Sequence, residues 1–135
     1  MENSGKRVFL TGASGFIASY ILSLLIEVHI KLSSHIMYTN FMPLQEGYHT
    51  TASVRSESKA QQILDKHPTW KDKVHFVFVE DIAVDGAFDE VFQREKIGFD
   101  YILHTASPVN FSVTDFQKDL IDPAVRGYVR CTYSL

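Results

Sequence analysis

The 135-residue chain has little of several features that would define a protein class at once. Its single cysteine, Cys131, excludes an internal disulfide, a cysteine-based zinc site and a thiol redox pair, and it fits a reducing compartment. No apolar run approaches the roughly 20 residues that a membrane-spanning helix needs. The first seven residues are polar and lack the apolar core of a secretory signal, so we expect a cytoplasmic protein.

An excess of charge of one sign is also missing. The 13 basic and 16 acidic side chains give a net charge of −3, and the basic residues are scattered, so a nucleic-acid interface is not expected. The six histidines are too widely spread to form a recognisable metal-ligand pair, and no metal is expected. Hydrophobic residues at 45% and charged residues at 21% are typical of a globular domain with a packed core.

What the sequence does contain is an alternation of predicted strands and helices. A short apolar run over 7–11 predicts a buried strand, and apolar residues at helical spacing predict a helix over 16–27. Further strands are predicted over 48–55, 74–79 and 99–104, and helices over 56–66, 84–96 and parts of 114–127, where Pro123 is expected to end or bend the helix. Strands that are apolar throughout and alternate with helices indicate an α/β fold with a doubly wound parallel sheet.

Residues 28–45 break this alternation. The segment has no sustained helical or strand period, and a long aperiodic connection is unusual between a helix and the next strand. Two interpretations stay open, an inserted recognition element and an intron that has been translated in frame. Genomic sequence with spliced transcripts distinguishes them.

The strongest candidate site is the glycine-rich turn between the first strand and the first helix. It reads Thr-Gly-Ala-Ser-Gly-Phe-Ile-Ala over residues 11–18, with Ser14 available as a helix cap. Two glycines allow backbone N–H groups and the helix N-terminus to approach a pyrophosphate. The alternative is that the glycines only serve the turn, but their position between a strand and a helix favours a nucleotide site.

A second candidate lies at the end of the second predicted strand, where a dinucleotide-binding fold meets the adenosine ribose. An acidic residue there would bind the ribose 2′-hydroxyl, whereas an arginine accommodates a 2′-phosphate. This chain has Arg55, with Lys59 one helical turn later. The alternative is that both are ordinary residues of a solvated helix start, and Glu57 reduces the local positive charge.

Further candidates follow the third and fourth strands. Asp81 is placed to accept a hydrogen bond from the adenine amino group, while Ile82 packs against the ring, since ligands bind at the carboxyl ends of strands in open α/β sheets. The alternative for Asp81 is a helix N-cap. His104 is interpreted as a hydrogen-bonded core residue, and no catalytic role is assigned to it.

Four motifs in this order resemble one family. They are the glycine turn, Ser-Val-Arg-Ser at 53–56, Asp-Ile at 81–82 and His-Thr-Ala-Ser-Pro at 104–108. Together they are similar to the extended short-chain dehydrogenase/reductases, in the branch of dihydroflavonol reductase, cinnamoyl-CoA reductase and fungal methylglyoxal or aldehyde reductases. The similarity covers residues 8–27 and 47 to about 127.

The resemblance implies an NADPH-dependent reductase of small aldehydes or ketones, with residues 1–135 as the N-terminal portion of a Rossmann-type sheet of about four strands. In that sheet the fourth strand lies at an edge. The resemblance implies that six residues of the turn contact the pyrophosphate of NADP. It also implies that Arg55 and Lys59 contact the 2′-phosphate, and that Asp81 and Ile82 contact the adenine. The six turn residues are Gly12, Ala13, Ser14, Gly15, Phe16 and Ile17.

The family's catalytic residues have no counterpart in this chain. No tyrosine is followed by a lysine four residues later, and we expect the family's substrate domain to lie outside the 135 residues. We therefore expect no reductase activity from this chain alone, and assign it no catalytic residue. Three alternatives stay open: a fragment of an NAD-dependent nucleotide-sugar epimerase or dehydratase, which Arg55 disfavours, a non-catalytic dinucleotide-binding protein, and a truncated product without function.

Overall fold

A computed structural model describes residues 5–35, 48–94, 98–107 and 112–133 of the chain. Four parallel strands form one sheet in the order β3-β2-β1-β4. Their bounds are Arg7–Thr11 for β1, His49–Val54 for β2, Val74–Phe78 for β3 and Tyr101–His104 for β4. The predicted α/β fold with a parallel sheet is confirmed, and each strand lies within one or two residues of its prediction.

Within the described ranges, four α-helices accompany the sheet: α1 (Phe16–His35), α2 (Glu57–Lys66), α3 (Asp89–Arg94) and α4 (Asp122–Tyr133). The predicted end of the first helix at residue 27 is wrong, because α1 continues to His35. No proline or glycine interrupts residues 28–35, so the backbone hydrogen bonds of the helix continue although the apolar period does not. The remainder of the unusual segment, 36–45, lies outside the described residues.

Two other predictions about helices are corrected. Helix α3 begins at Asp89 rather than at the predicted residue 84, because turns precede it and Gly86 has a φ of +73°, while residues 95 and 96 of the prediction lie outside the described residues. Pro123 does not end the last helix, because the helical backbone continues from the π turn Gln117–Ile121 into α4 and on to Tyr133. The π turn lies directly before Pro123, where a proline inside a helix removes a backbone N–H.

The core has one cluster on each face of the sheet. On the first face, Leu10 and Ala52 pack with α1, which buries a stripe of Ala18, Leu22 and Ile26. Within the predicted helix 16–27, Ile21 also packs against this cluster, while Ile17 and Leu24 are exposed. On the second face, Phe9 contacts the rings of Phe88, Phe92 and Phe99.

The order of the strands places the candidate residues. Since all four strands are parallel, their carboxyl ends lie together at one end of the sheet. The glycine turn follows β1, so it lies between the ends of β2 and β4. The expected edge position of the fourth strand is confirmed, because β4 pairs with β1 alone among the described strands. Tyr101 of β4 remains half exposed.

Candidate functional site

The glycine turn is held against the end of β2 by Ser53. The Gly12 N–H donates to Ser53 Oγ at 3.2 Å, and the Ala13 N–H donates to the Ser53 carbonyl at 2.8 Å. A third bond closes the turn, from the Gly15 N–H to the Gly12 carbonyl at 2.8 Å. These bonds fix the backbone path before helix α1 begins.

Glycine is required at position 12 for two reasons. Its φ of +72° is a conformation that other residues rarely adopt, and a Cβ built there would lie 2.9 Å from the Ala106 Cα. Position 15 is less restricted, because a Cβ there meets only the Gly12 carbonyl oxygen at 3.2 Å. The loop after β4 therefore packs directly against the glycine turn. This close packing requires a residue without a side chain at position 12.

The start of α1 offers unoccupied hydrogen-bond donors. Within the described ranges, the N–H groups of Ser14, Phe16 and Ile17 have no acceptor, and the Ser14 side chain does not form the predicted helix cap. Ser14 and Gly15 are exposed, as are the side chains of Phe16 and Ile17, whereas Ala13 is buried. Free N–H groups at the positive end of a helix are the structural basis for binding an anionic group.

The tip of β2 presents positive charge beside this turn. Arg55 follows the last residue of β2, is exposed, and forms no hydrogen bond or ion pair with the described part of the chain. Lys59, also exposed, lies in the first turn of α2, and its Nζ donates to Gln62 Oε1 at 3.3 Å. Glu57, the first residue of α2, is exposed as well. The structure therefore leaves Arg55 available to a ligand, and Lys59 becomes available when its single amide contact breaks.

Asp81 and Ile82 follow β3, as predicted, but both already have contacts within the chain. Asp81 Oδ1 accepts a hydrogen bond from the Ala83 N–H at 2.8 Å. This bond stabilises a turn, and α3 begins only at Asp89, so the alternative of a helix N-cap is wrong. Ile82 packs on the second core cluster, and a Cβ at Gly127 of α4 would lie 2.7 Å from its Cδ1. Their contacts with adenine remain predictions.

Sequence reasoning missed a hydrogen-bonded group centred on Thr11. The Thr11 Oγ1 accepts from the N–H groups of Thr105 and Ala106, each at 3.1 Å, and lies 3.0 Å from His104 Nδ1. The Thr105 hydroxyl donates to the Thr11 carbonyl at 2.6 Å. Because both lone pairs of the Thr11 hydroxyl accept N–H groups, its hydrogen is left for His104 Nδ1. No sequence signal distinguished this threonine from any other strand residue.

This pattern favours a neutral His104 imidazole with its hydrogen on Nε2, an atom that is buried and has no hydrogen-bond partner among the described residues. Burial lowers the pKa of His104 below its ordinary value of 6.5, which favours the same neutral form. Its ring lies edge-on to Phe88 and Tyr128, with centroids 6.4 and 6.2 Å away. These contacts agree with the interpretation of His104 as a hydrogen-bonded core residue.

Two other kinds of site are absent from the described ranges. No group of three or more His, Cys, Asp or Glu side chains in those ranges is arranged to hold a metal ion. No helix there combines the length and the apolar character needed to cross a bilayer. Cys131 is buried within α4, and burial raises the pKa of its thiol to about 11.

Comparison with known proteins agrees with the motifs and the fold, although no family model matches the chain. The ketoreductase azaE of Aspergillus niger is 38% identical over 128 residues, which are 94% of this chain and 32% of that protein. The cinnamoyl-CoA reductase CAD2 of Medicago truncatula is 35% identical over 128 residues, covering 93% of this chain and 32% of that protein.

A solved structure shows the same relationship. The crystal structure of yeast methylglyoxal/isovaleraldehyde reductase Gre2 complexed with NADPH superposes with a TM-score of 0.72 at 34% identity. The match covers 95% of this chain and 32% of that chain. The chain is thus a homologue of the fungal methylglyoxal reductases and ketoreductases and of the cinnamoyl-CoA reductases, and it spans about a third of the length of the relatives it matches.

Proposed function

We propose that this chain is the NADP-binding part of an oxidoreductase that reduces small aldehydes or ketones to alcohols. The observation that carries the proposal is the pair of features at the carboxyl ends of β1 and β2. A glycine turn with free N–H groups lies beside Arg55, which has no partner among the described residues. Pyrophosphate and 2′-phosphate are the two groups of NADP that such features recognise.

The pyrophosphate is proposed to lie over residues Gly12 to Ile17. The N–H groups of Ser14, Phe16 and Ile17 would donate to its oxygens, and the dipole of α1 would stabilise its charge. The absence of a side chain on Gly15 keeps the approach open. These residues bind and orient the cofactor, while the hydride chemistry belongs to the nicotinamide ring.

The other cofactor contacts are proposed from the ends of β2 and β3. Arg55 would form charge-assisted hydrogen bonds with the 2′-phosphate, and Lys59 would add a second positive charge from α2. Asp81 keeps one carboxylate oxygen free of the Ala83 N–H, and this oxygen would accept from the adenine amino group beside Ile82. The carbonyl substrate would bind to parts of a longer protein, since the chain contains no Tyr-x-x-x-Lys pair.

The proposal is tested by comparing NADP and NAD binding to the 135-residue chain and to Arg55→Ala. A charge-assisted contact contributes about 1.5–3 kcal/mol, so we expect the parent to prefer NADP by roughly ten- to a hundredfold, and Arg55→Ala to lose most of that preference. Arg94→Ala is the matched control, because it removes an exposed arginine whose ion pair with Glu90 lies on α3.

Isothermal titration calorimetry gives both dissociation constants. Equal affinity of the parent for NADP and NAD would contradict the role of Arg55, and an unchanged ratio in Arg55→Ala would contradict it equally. Failure of the parent to bind either dinucleotide would contradict the proposed cofactor-binding function itself.

A further inference from the structure

A second cluster of polar and charged residues lies at the opposite end of the strands. A recess of about 350 Å³, open to solvent, is lined by the amino ends of β1, β2 and β3 and by the loop before β3. Its lining residues come from three stretches of the chain, Arg7, 49–51 and 71–75. None of them belongs to the proposed cofactor site, which lies at the carboxyl ends of the same strands.

The recess is basic although the chain as a whole is acidic. Among its nine lining residues, Arg7, Lys71 and Lys73 are set against the single carboxylate of Asp72, and His49 and His75 are counted apart from these charges. The whole chain, in contrast, has 13 basic residues against 16 acidic ones. A local excess of positive charge in a concave site attracts anions.

The register of the sheet brings the two histidines together. Arg7 pairs with His49, and Thr51 pairs with His75 on the neighbouring strand. Paired residues point to the same face of a sheet, as do residues two apart on one strand, so these four side chains share a face. Hydrogen-bond donors from three strands therefore converge on one side of the recess.

The two lysines are presented by a fixed turn. Trp70 is buried at 2% exposure and stacks on His67, and the Lys73 N–H donates to the Trp70 carbonyl at 2.9 Å. This anchor holds the backbone of Lys71 to Lys73 at the rim, so little backbone ordering is needed when a ligand binds.

Four of the basic side chains of the recess have no acidic partner within the part of the chain that the structure describes. Lys71, Lys73, His49 and His75 form no ion pair or side-chain hydrogen bond there. The nearby Asp100 carboxylate is already used, since it accepts from the Arg7 N–H and from Lys6, and these bonds hold the pKa of Asp100 below its usual value. The positive charges of Lys71 and Lys73 therefore have no counter-charge among the described residues, which favours binding of an anion at the recess.

We propose that this recess is a binding site for a phosphate-type oxyanion, separate from the cofactor site. Lys71 and Lys73 would supply the main charge, and His49 and His75 would supply further donors. The ligand class is a compact group with two negative charges and several acceptor oxygens, either free phosphate or a phosphate monoester.

The test titrates inorganic phosphate and phenyl phosphate into the ¹⁵N-labelled chain at constant ionic strength set by chloride, since salt alone screens surface charge. We expect saturable shifts in the amide signals of residues 49–51 and 73–75. Lys71→Gln/Lys73→Gln should weaken binding at least about tenfold, because it removes two charge-assisted contacts. Tighter binding of phenyl phosphate identifies an ester as the ligand, and tighter binding of inorganic phosphate identifies the free ion.

The control Arg94→Gln/Lys118→Gln removes two exposed positive charges from other parts of the chain and should leave the affinity unchanged. Thermal unfolding gives a second readout, because phosphate that binds the folded chain raises the midpoint relative to chloride in the parent and not in Lys71→Gln/Lys73→Gln. Shifts that do not saturate, that occur only over residues 12–17, or that both double variants weaken equally would overturn the proposal. The result is independent of NADP binding, so it can fail while the proposed function stands.

Discussion

The two ends of the parallel strands differ in how their polar groups are used. At the carboxyl ends, the side chains of Thr11 and Ser53 are buried and bonded to backbone groups of neighbouring segments, and the free donors are backbone N–H groups. At the amino ends, the polar groups are exposed side chains such as Lys71 and Lys73, which have no ion pair among the described residues. Binding at the carboxyl ends should therefore depend on backbone shape, and binding at the amino ends on charge.

The largest effect is expected where backbone shape is most restricted. Gly12→Ala places a Cβ 2.9 Å from the Ala106 backbone on a residue whose φ is +72°, whereas Gly15→Ala meets only one carbonyl oxygen at 3.2 Å. The left-handed conformation alone costs roughly 1–2 kcal/mol for a residue with a Cβ, and the clash adds to it. Gly12→Ala should lower the free energy of unfolding by about 2 kcal/mol or more and NADPH affinity by at least about a hundredfold.

Urea unfolding and NADPH titration of both variants check this expectation. Gly15→Ala should be the milder variant in both measurements. If the two substitutions have equal effects, the closeness of the β4 loop to the glycine turn is not what restricts the turn.

A smaller effect is expected at Thr11. Thr11→Val keeps the shape of the side chain but removes the acceptor for the Thr105 and Ala106 N–H groups and the donor for His104. Leaving buried polar groups without partners costs about 1–3 kcal/mol. Thr11→Ser keeps the hydroxyl, so it should retain most of the stability that Thr11→Val loses.

Urea unfolding of the two Thr11 variants measures this difference. Nitrogen-15 shifts of the His104 ring give a second readout, since the parent and Thr11→Ser should show hydrogen on Nε2 whereas Thr11→Val should not hold one tautomer. Equal stability of the Val and Ser variants would show that the hydroxyl bonds do not hold the β4 loop.

The smallest effect is a dependence of stability on pH. Burial lowers the pKa of His104 in the folded chain, so between the ordinary value of 6.5 and the lowered one the unfolded chain binds a proton that the folded chain does not. The free energy of unfolding should therefore fall as the pH decreases below about 6.5. Denaturant unfolding between pH 5 and 8 measures it, and His104→Gln should reduce the slope. A parent and variant with the same slope would show that another group causes the dependence.

Pattern and turn chemistry were enough to predict the four strands, their parallel arrangement and the glycine turn. Arg55 was placed correctly at the tip of β2, because a strand that ends before a polar helix start leaves little choice of position. The end of α1 was not predictable from periodicity. Residues 28–35 lose the apolar period but contain no residue that breaks a helix. The helical backbone therefore continues beyond the point where the spacing of apolar residues stops indicating a helix.

The bonds that organise the site were also beyond sequence reasoning. Thr11 and His104 are 93 residues apart in the chain, and only the pairing of β1 with β4 brings them together. The same holds for the recess, whose residues 7, 49–51 and 71–75 meet because β1, β2 and β3 are neighbours in the sheet.

The sequence by itself determined the local features, namely the alternating strands and helices, the glycine turn and the charge at the tip of β2. These depend on neighbouring residues, whose spacing and backbone preferences are visible in the chain. Only the tertiary structure decided that Ala106 packs against Gly12, that the Thr11 hydroxyl contacts His104, and that five basic side chains line one recess. The physical reason is that these contacts join residues distant in sequence, and strand order and register alone determine which of them meet.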